Sequence, residues 1–246
     1  MKISILASSS KGNSYYIEKG NDAFVIDIGL SGKNFYEKLL SVQGCEKKIK
    51  GILVSHEHSD HIQGVGIVAR RFNIPIFINE KTYVAGEKKI GKVPYIKTFL
   101  PGEKFEINSF AIEAFSVSHD AAEPVNFIIN NKNKSIGLST DLGKINKLLL
   151  HKLIGKDFLI IESNYDENML MTGAYPYPLK QRIKSNHGHL SNDNAAELIE
   201  MLLHSDLQGI ALAHLSEENN RPHLAYESTM RVLKKFKQEN LPLYIA

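Results

Sequence analysis

The chain has no tryptophan and a single cysteine, Cys45, in 246 residues. One thiol cannot build an internal disulfide framework, so a reducing compartment is implied and a cytoplasmic location is expected. Long apolar runs are also missing. The first eight residues, Met1 to Ser8, start like a secretion signal, but their apolar core is too short, and they read as a first strand. No stretch approaches the roughly 20 apolar residues of a membrane helix, so no membrane partner is expected. Charge of one sign is not in great excess: 30 Lys and Arg against 27 Asp and Glu leave a formal net charge of +3. That balance excludes a strongly charged tail and is compatible with an anionic substrate. No low-complexity linker divides the chain, and at 43% hydrophobic it can bury a sizeable core as one domain spanning 1–246.

Histidine is what stands out, above all in His56-Glu57-His58-Ser59-Asp60-His61, an H-x-H-x-D-H hexapeptide directly after the apolar run Gly51 to Val54. Extended backbone alternates its side chains with period two, so a strand ending near Val54 delivers His56 and His58 to the same side. Asp60 and His61 follow where the chain turns into the apolar-periodic segment Ile62 to Phe72, and they project toward a second point nearby. This arrangement suits two cations rather than one. Imidazole and carboxylate are the donors expected for zinc, manganese or iron.

Such a motif needs partners from elsewhere in the chain, and later strand ends supply them. Phe110 to Val117 leads into His119, Ser135 to Leu138 into Asp141, and Gly209 to Ala213 into His214. Open sheets place their sites on that edge. Read coarsely, strands are expected near 2–7, 14–18, 23–27, 49–54, 75–78 and 110–117, with helices near 31–41 and 61–72. The plan then recurs, with strands near 125–130, 134–139, 157–161, 208–213 and 243–245 and helices near 144–151, 192–204 and 224–239. Two β-rich halves interrupted by helices favour an α/β (α+β) fold, a four-layer αββα sandwich. Tyr175-Pro176-Tyr177-Pro178 is read as a loop.

With these seven residues in place the chain resembles the metallo-β-lactamase fold superfamily of binuclear hydrolases. The resemblance implies that His56, His58 and His119 hold one divalent ion, that Asp60, His61 and His214 hold a second, and that Asp141 bridges them. Phe158 to Tyr165 is similar to a segment of the phosphodiesterase RNase Z, with Ile161 in place of that family's histidine. His187-Gly188-His189-Leu190-Ser191-Asn192 is similar to its G-H-S-S/T segment. Carried over, His189 becomes the general acid that protonates a leaving oxygen, Glu162 its orienting carboxylate, and Asp60 the acceptor of the nucleophile's proton. Within the superfamily, Leu6 to Ser14, Ser118 to Val125, Glu162-Ser163-Asn164, Pro176 to Lys180, Gly188 to Asn192 and Leu212 to Ser216 resemble the bacterial YycJ/WalJ branch.

That branch implies a metal-dependent nuclease with 5′-to-3′ exonuclease activity, its partner a DNA end and its cofactors two zinc, manganese or iron ions. Candidate substrate contacts are Ser10 and Asn13 in the polar loop Ser8 to Ser14, Lys180 and Arg182 in a basic segment beside His189, and Asn220 after His214. The loop supplies small donors and a glycine for close approach to a phosphate, and the basic residues can neutralise a phosphate backbone. A hydrolase of a small cyclic nucleotide or phosphonate diester, or a metal-stabilised regulatory protein without turnover, are the alternatives. Between Asp141 and His214 there is no room for a large inserted domain of the type found in RNase J. A compact site for a nucleic-acid end or a small diester is therefore expected.

Overall fold

A computed structural model describes residues 1–132 and 134–246. The chain divides into two compact units, Met1–Ser116 with Ala121–Val125, and Val117–Asp120 with Asn126–Ala246. Each is mixed α/β, and the strands form two sheets as the hydrophobic patterning implies.

The first unit holds β1 (Lys2–Ser9), β2 (Gly12–Lys19), β3 (Asp22–Ile26), α1 (Gly32–Ser41), β4 (Ile49–Leu53), α2 (Ser59–Ile62) and α3 (Val65–Phe72). It continues through β5 (Ile76–Ile78), α4 (Glu80–Ile90), β6 (Ile96–Thr98), β7 (Lys104–Ile107) and β8 (Phe110–Ser116). A six-stranded sheet runs in the order β1-β2-β3-β4-β5-β6. Its first three strands are antiparallel, and β3 to β6 are parallel. Parallel strands need crossovers, which α1, α3 and α4 provide. Both faces of such strands are covered, and Val25, Ile52, Val54, Ile76 and Ile78 are accordingly buried together with Phe35, Leu39, Val65 and Val68 from the helices.

The expected helix over 61–72 is two helices. Gly64 explains the break: its amide donates to the Ile28 carbonyl at 2.8 Å, and a Cβ there would lie 2.3 Å from the Leu30 carbonyl oxygen. The bend leaves α2 as a single turn carrying Asp60 and His61, set off from the amphipathic α3.

The second unit holds β9 (Val125–Asn131) from Asn126 on, β10 (Lys134–Ser139), α5 (Lys147–Leu153), β11 (Phe158–Glu162), α6 (Glu167–Thr172), α7 (Tyr177–Lys184), α8 (Asn192–Leu202), β12 (Gly209–Ala213), α9 (Pro222–Lys235) and β13 (Leu243–Ile245). β9 and β10 form an antiparallel hairpin, and β10, β11, β12 and β13 are parallel. Leu159, Ile160, Ile161, Ile210 and Leu212 are buried, the near-continuous apolar pattern of strands covered on both faces. The segment read as a loop at 175–178 instead opens α7, with Pro176 as N-cap and Pro178 in the first turn. Proline is tolerated there because a first-turn amide has no helical partner to lose. No helix among the described residues is long and apolar enough to cross a membrane. Cys45 is a free thiol.

Candidate active-site residues

In the first unit the hexapeptide leaves β4 and enters α2. His58, with extended backbone, is the N-cap residue of α2, so the change from strand to helix falls inside the motif. The His56 and His58 rings lie 4.7 Å apart edge to face, and His56 and His61 lie 4.0 Å apart. The period-two expectation for His56 and His58 therefore holds within this unit.

Behind the imidazoles sits Asp27, a residue the sequence reading passed over. It follows β3 and adopts a left-handed backbone, φ 55°, an uncommon conformation for a non-glycine residue. Its carboxylate accepts the Ser55 amide at 2.8 Å, the Ser55 hydroxyl at 2.6 Å and His61 Nδ1–H at 2.8 Å. Because the Ser55 hydroxyl hydrogen is given to Asp27, its oxygen accepts from His56 Nδ1 at 3.0 Å. A carboxylate can only accept, so it fixes the proton of His61 on Nδ1 and its lone pair on Nε2. The usable signal in the sequence was the one that marked Asp141 as a candidate: an acid just after a strand.

In the second unit three parallel strands deliver polar residues to one edge. Ser139 pairs with Ile161 and Glu162 with Ala213, so the chain immediately beyond β10, the last residue of β11 and the chain immediately beyond β12 lie together. These positions carry Asp141, Glu162 and His214. Asp141 and His214 turn sharply away with φ of 57° and 56°, and backbone held in such conformations clusters at functional sites. Asp141 Oδ1 lies 3.6 Å from His119 Nε2, 3.6 Å from His214 Nδ1 and 3.9 Å from His189 Nδ1.

Asp141, Glu162, His189 and His214 each offer a ligand atom within 4.8 Å of the others. Both Glu162 oxygens also accept hydrogen bonds within the unit. Oε1 accepts His189 Nδ1–H and His214 Nδ1–H, each at 2.8 Å, and the Asp141 amide at 3.1 Å. Oε2 accepts the amides of Leu142 at 3.0 Å and Leu190 at 2.9 Å. Complete burial pushes the Glu162 carboxyl up, but His189 and His214 outweigh it and hold it at about 2. His119 Nδ1 donates to the Gly188 carbonyl at 3.1 Å. Burial keeps His119 below the usual histidine range, against the pull of Asp141.

His56, His61, His119 and His214 thus each have Nδ1 tied to an oxygen acceptor, which fixes the tautomer and directs the Nε2 lone pair away from the supporting group. Histidines that bind metals are supported in this way. Imidazole and carboxylate, offered with Asp60 in the first unit and with Asp141 in the second, are donors that fit a divalent ion of the zinc or manganese type.

The candidate substrate contacts fare differently. Asn13 is buried, and its amide donates to the Ser9 carbonyl at 3.0 Å, to Asp60 Oδ2 at 3.2 Å and to His61 Nε2 at 3.1 Å. It holds Asp60 and His61 in register instead of standing open to a phosphate. Lys180 turns inward, its ammonium donating to the carbonyls of Met171 and Gly173 at the end of α6. Asn220 is buried and bonds the carbonyls of Ser163 and Asn164 and the side chain of Asn192. These three have the polarity of contacts, and the fold uses that polarity internally. Ser10 is exposed in the turn after β1, and Arg182 is exposed and paired with Asp120.

Fold and donor set together define a class, the metallo-hydrolases. Residues 24–210 match the family described as the beta-lactamase superfamily domain. The chain is 38% identical over 237 residues to a Bacillus anthracis protein named exodeoxyribonuclease YycJ, covering 96% of this chain and 90% of that one. It is 39% identical over 236 residues to exodeoxyribonuclease WalJ of Streptococcus pneumoniae, covering 94% and 88%. The metallo-β-lactamase fold protein YhfI from Bacillus subtilis shares the fold with a TM-score of 0.77 at 15% identity, over 99% of this chain and 95% of that one. The chain belongs to the metallo-β-lactamase fold superfamily, within the family of YycJ and WalJ, and is a hydrolase of that fold.

Proposed function

We propose that this protein is a metal-dependent exonuclease that hydrolyses phosphodiester bonds at a DNA end in the 5′-to-3′ direction, in the cytoplasm. The observation that carries the reading is the support of the imidazoles: buried acceptors fix Nδ1 of His61, His119 and His214. The family relationship supplies the substrate class. The ligands proposed are His56, His58, Asp60 and His61 in the first unit and His119, Asp141 and His214 in the second, for two divalent ions. When bound, such ions activate water and bind the oxygens on which negative charge develops.

The chain's own residues have separate tasks. Asp60, its carboxylate steadied by the Asn13 amide, takes the proton of the attacking water. His189 is partly exposed while its Nδ1–H is anchored on the buried Glu162, so Nε2 is the end that faces an incoming ester. It delivers a proton to the departing oxygen, which is a poor leaving group as the free alkoxide. Ser10 and Arg182 are the remaining candidates for contact with the substrate phosphate.

The direct test is hydrolysis of bis-p-nitrophenyl phosphate by metal-loaded protein. The expected result is turnover in the wild type and a loss of about 10²-fold or more in Asp60→Ala and His189→Ala. Equal rates in all three proteins would overturn the assignment of both residues.

A further inference from the structure

Resting on the nuclease reading, we propose that a groove in the second unit carries the phosphodiester backbone of one substrate strand, with Lys144 and Lys147 meeting its phosphates. The basic segment singled out in the sequence does not form this surface, since Lys180 is turned inward and Arg182 is paired with Asp120. Beside it lies a cavity of about 550 Å³, between the loop that follows Asp141, the residues 184–186 and the helices α5 and α8.

Three lysines, Lys144, Lys147 and Lys184, line the groove against one acid, Glu197. Lys184 is held by Glu167. Lys144 and Lys147 are exposed, and no ion pair restrains them among the described residues. The remaining polar wall is made largely by asparagines, which contact phosphates and sugars without adding charge.

The groove is fixed to the second unit's catalytic edge. Gly143 donates its amide to the Ser118 carbonyl at 2.7 Å, next to His119. A Cβ on Gly143 would lie 2.1 Å from the Asn186 carbonyl oxygen, so the Lys144 loop is pressed directly against the segment that leads into His189. The backbone that carries Lys144 is therefore held beside Asp141 and the segment that leads into His189. We place the scissile phosphate at His189 and the phosphates beside it in this groove.

The test is the salt dependence of binding, measured by fluorescence anisotropy between about 50 and 200 mM salt with metal-loaded, full-length protein. The probe is a short single DNA strand with phosphorothioate linkages, which resist cleavage. Each phosphate neutralised contributes about 0.7 to the slope of log K against log salt for a single strand, so K144A/K147A should lower that slope by about 1.4. K144R/K147R should keep the wild-type slope, as should K33A/K38A on α1. A wild-type slope in K144A/K147A, or a lowered slope in K144R/K147R, overturns the proposal. If the slope falls as expected while wild-type protein fails on bis-p-nitrophenyl phosphate, the groove stands and the hydrolase reading falls.

Discussion

Replacing Glu162 by glutamine keeps the shape of the side chain and removes its charge, and the consequence can be worked out from the five hydrogen bonds it accepts. Glutamine presents one oxygen and one NH2 group, and the two orientations are not equivalent. With NH2 toward Leu142 and Leu190, two backbone amides lose their only described acceptor and face another donor. Each buried unsatisfied donor costs about 1–3 kcal/mol, so that orientation costs about 2–6 kcal/mol. With NH2 toward the other side, only the Asp141 amide is stranded, at about 1–3 kcal/mol, because His189 and His214 can move their protons to Nε2 and accept at Nδ1.

The second orientation wins, and it has a chemical signature. For a protein of this size each kcal/mol lowers Tm by about 2–4 °C, so Glu162→Gln should melt about 2–12 °C below wild type. His189 and His214 should also switch tautomer, observable as a change of the protonated ring nitrogen in ¹⁵N-edited NMR. With Nε2 protonated, His214 can no longer donate a lone pair there, so metal affinity and turnover both fall. A variant that melts with the wild type and retains both Nδ1 protons would refute the reasoning.

Asp27→Asn tests the support in the first unit. Asparagine tolerates the left-handed backbone but leaves the Ser55 amide or His61 Nδ1–H without an acceptor, so a loss of about 1–3 kcal/mol is expected in denaturant unfolding. A loss under about 0.5 kcal/mol, the range of ordinary surface substitutions, would contradict it. His119 predicts a pH dependence in protein stripped of metal. Its native ring titrates below the unfolded value of about 6.5, because burial dominates over Asp141, Glu162 and Asp120. Above about pH 6.5 both states are neutral and the contribution is intact; as pH falls through that value the unfolded chain binds a proton that the native chain resists, and stability drops until the native ring titrates too. Urea midpoints between about pH 7.5 and pH 5.5 should therefore fall more steeply for wild type than for His119→Gln, and identical slopes would exclude the effect.

How much of this was legible in the sequence depended on whether a signal was local. The strand before the hexapeptide, the helix Asn192–Leu202 and the strand Gly209–Ala213 are set by hydrophobic period, which a linear reading sees. The strand-end positions of Asp141 and His214 followed from the same periodicity, whereas Glu162 came from the resemblance to RNase Z. The break at Gly64 and the first turn at Pro176 were not visible in the period, because they depend on contacts with Ile28 and Leu30 and on the conformational fit of proline. Asn13, Lys180 and Asn220 show the limit most clearly. A polar residue near a candidate site looks the same in sequence whether it meets a ligand or satisfies a buried carbonyl, and only the fold distinguishes the two. Asp27 was missed for the converse reason: its importance lies in what it holds, Ser55 and His61, which are distant in the chain.

The most direct test of the central claim is the fate of end-labelled linear duplex DNA given to metal-loaded protein, with a covalently closed circle of the same sequence alongside. Release of mononucleotides from the 5′ end of the linear form, none from the circle, and loss of that release in His189→Ala is the outcome the account predicts. Intact linear DNA with fully loaded wild-type protein, or equal attack on the circle, would contradict it.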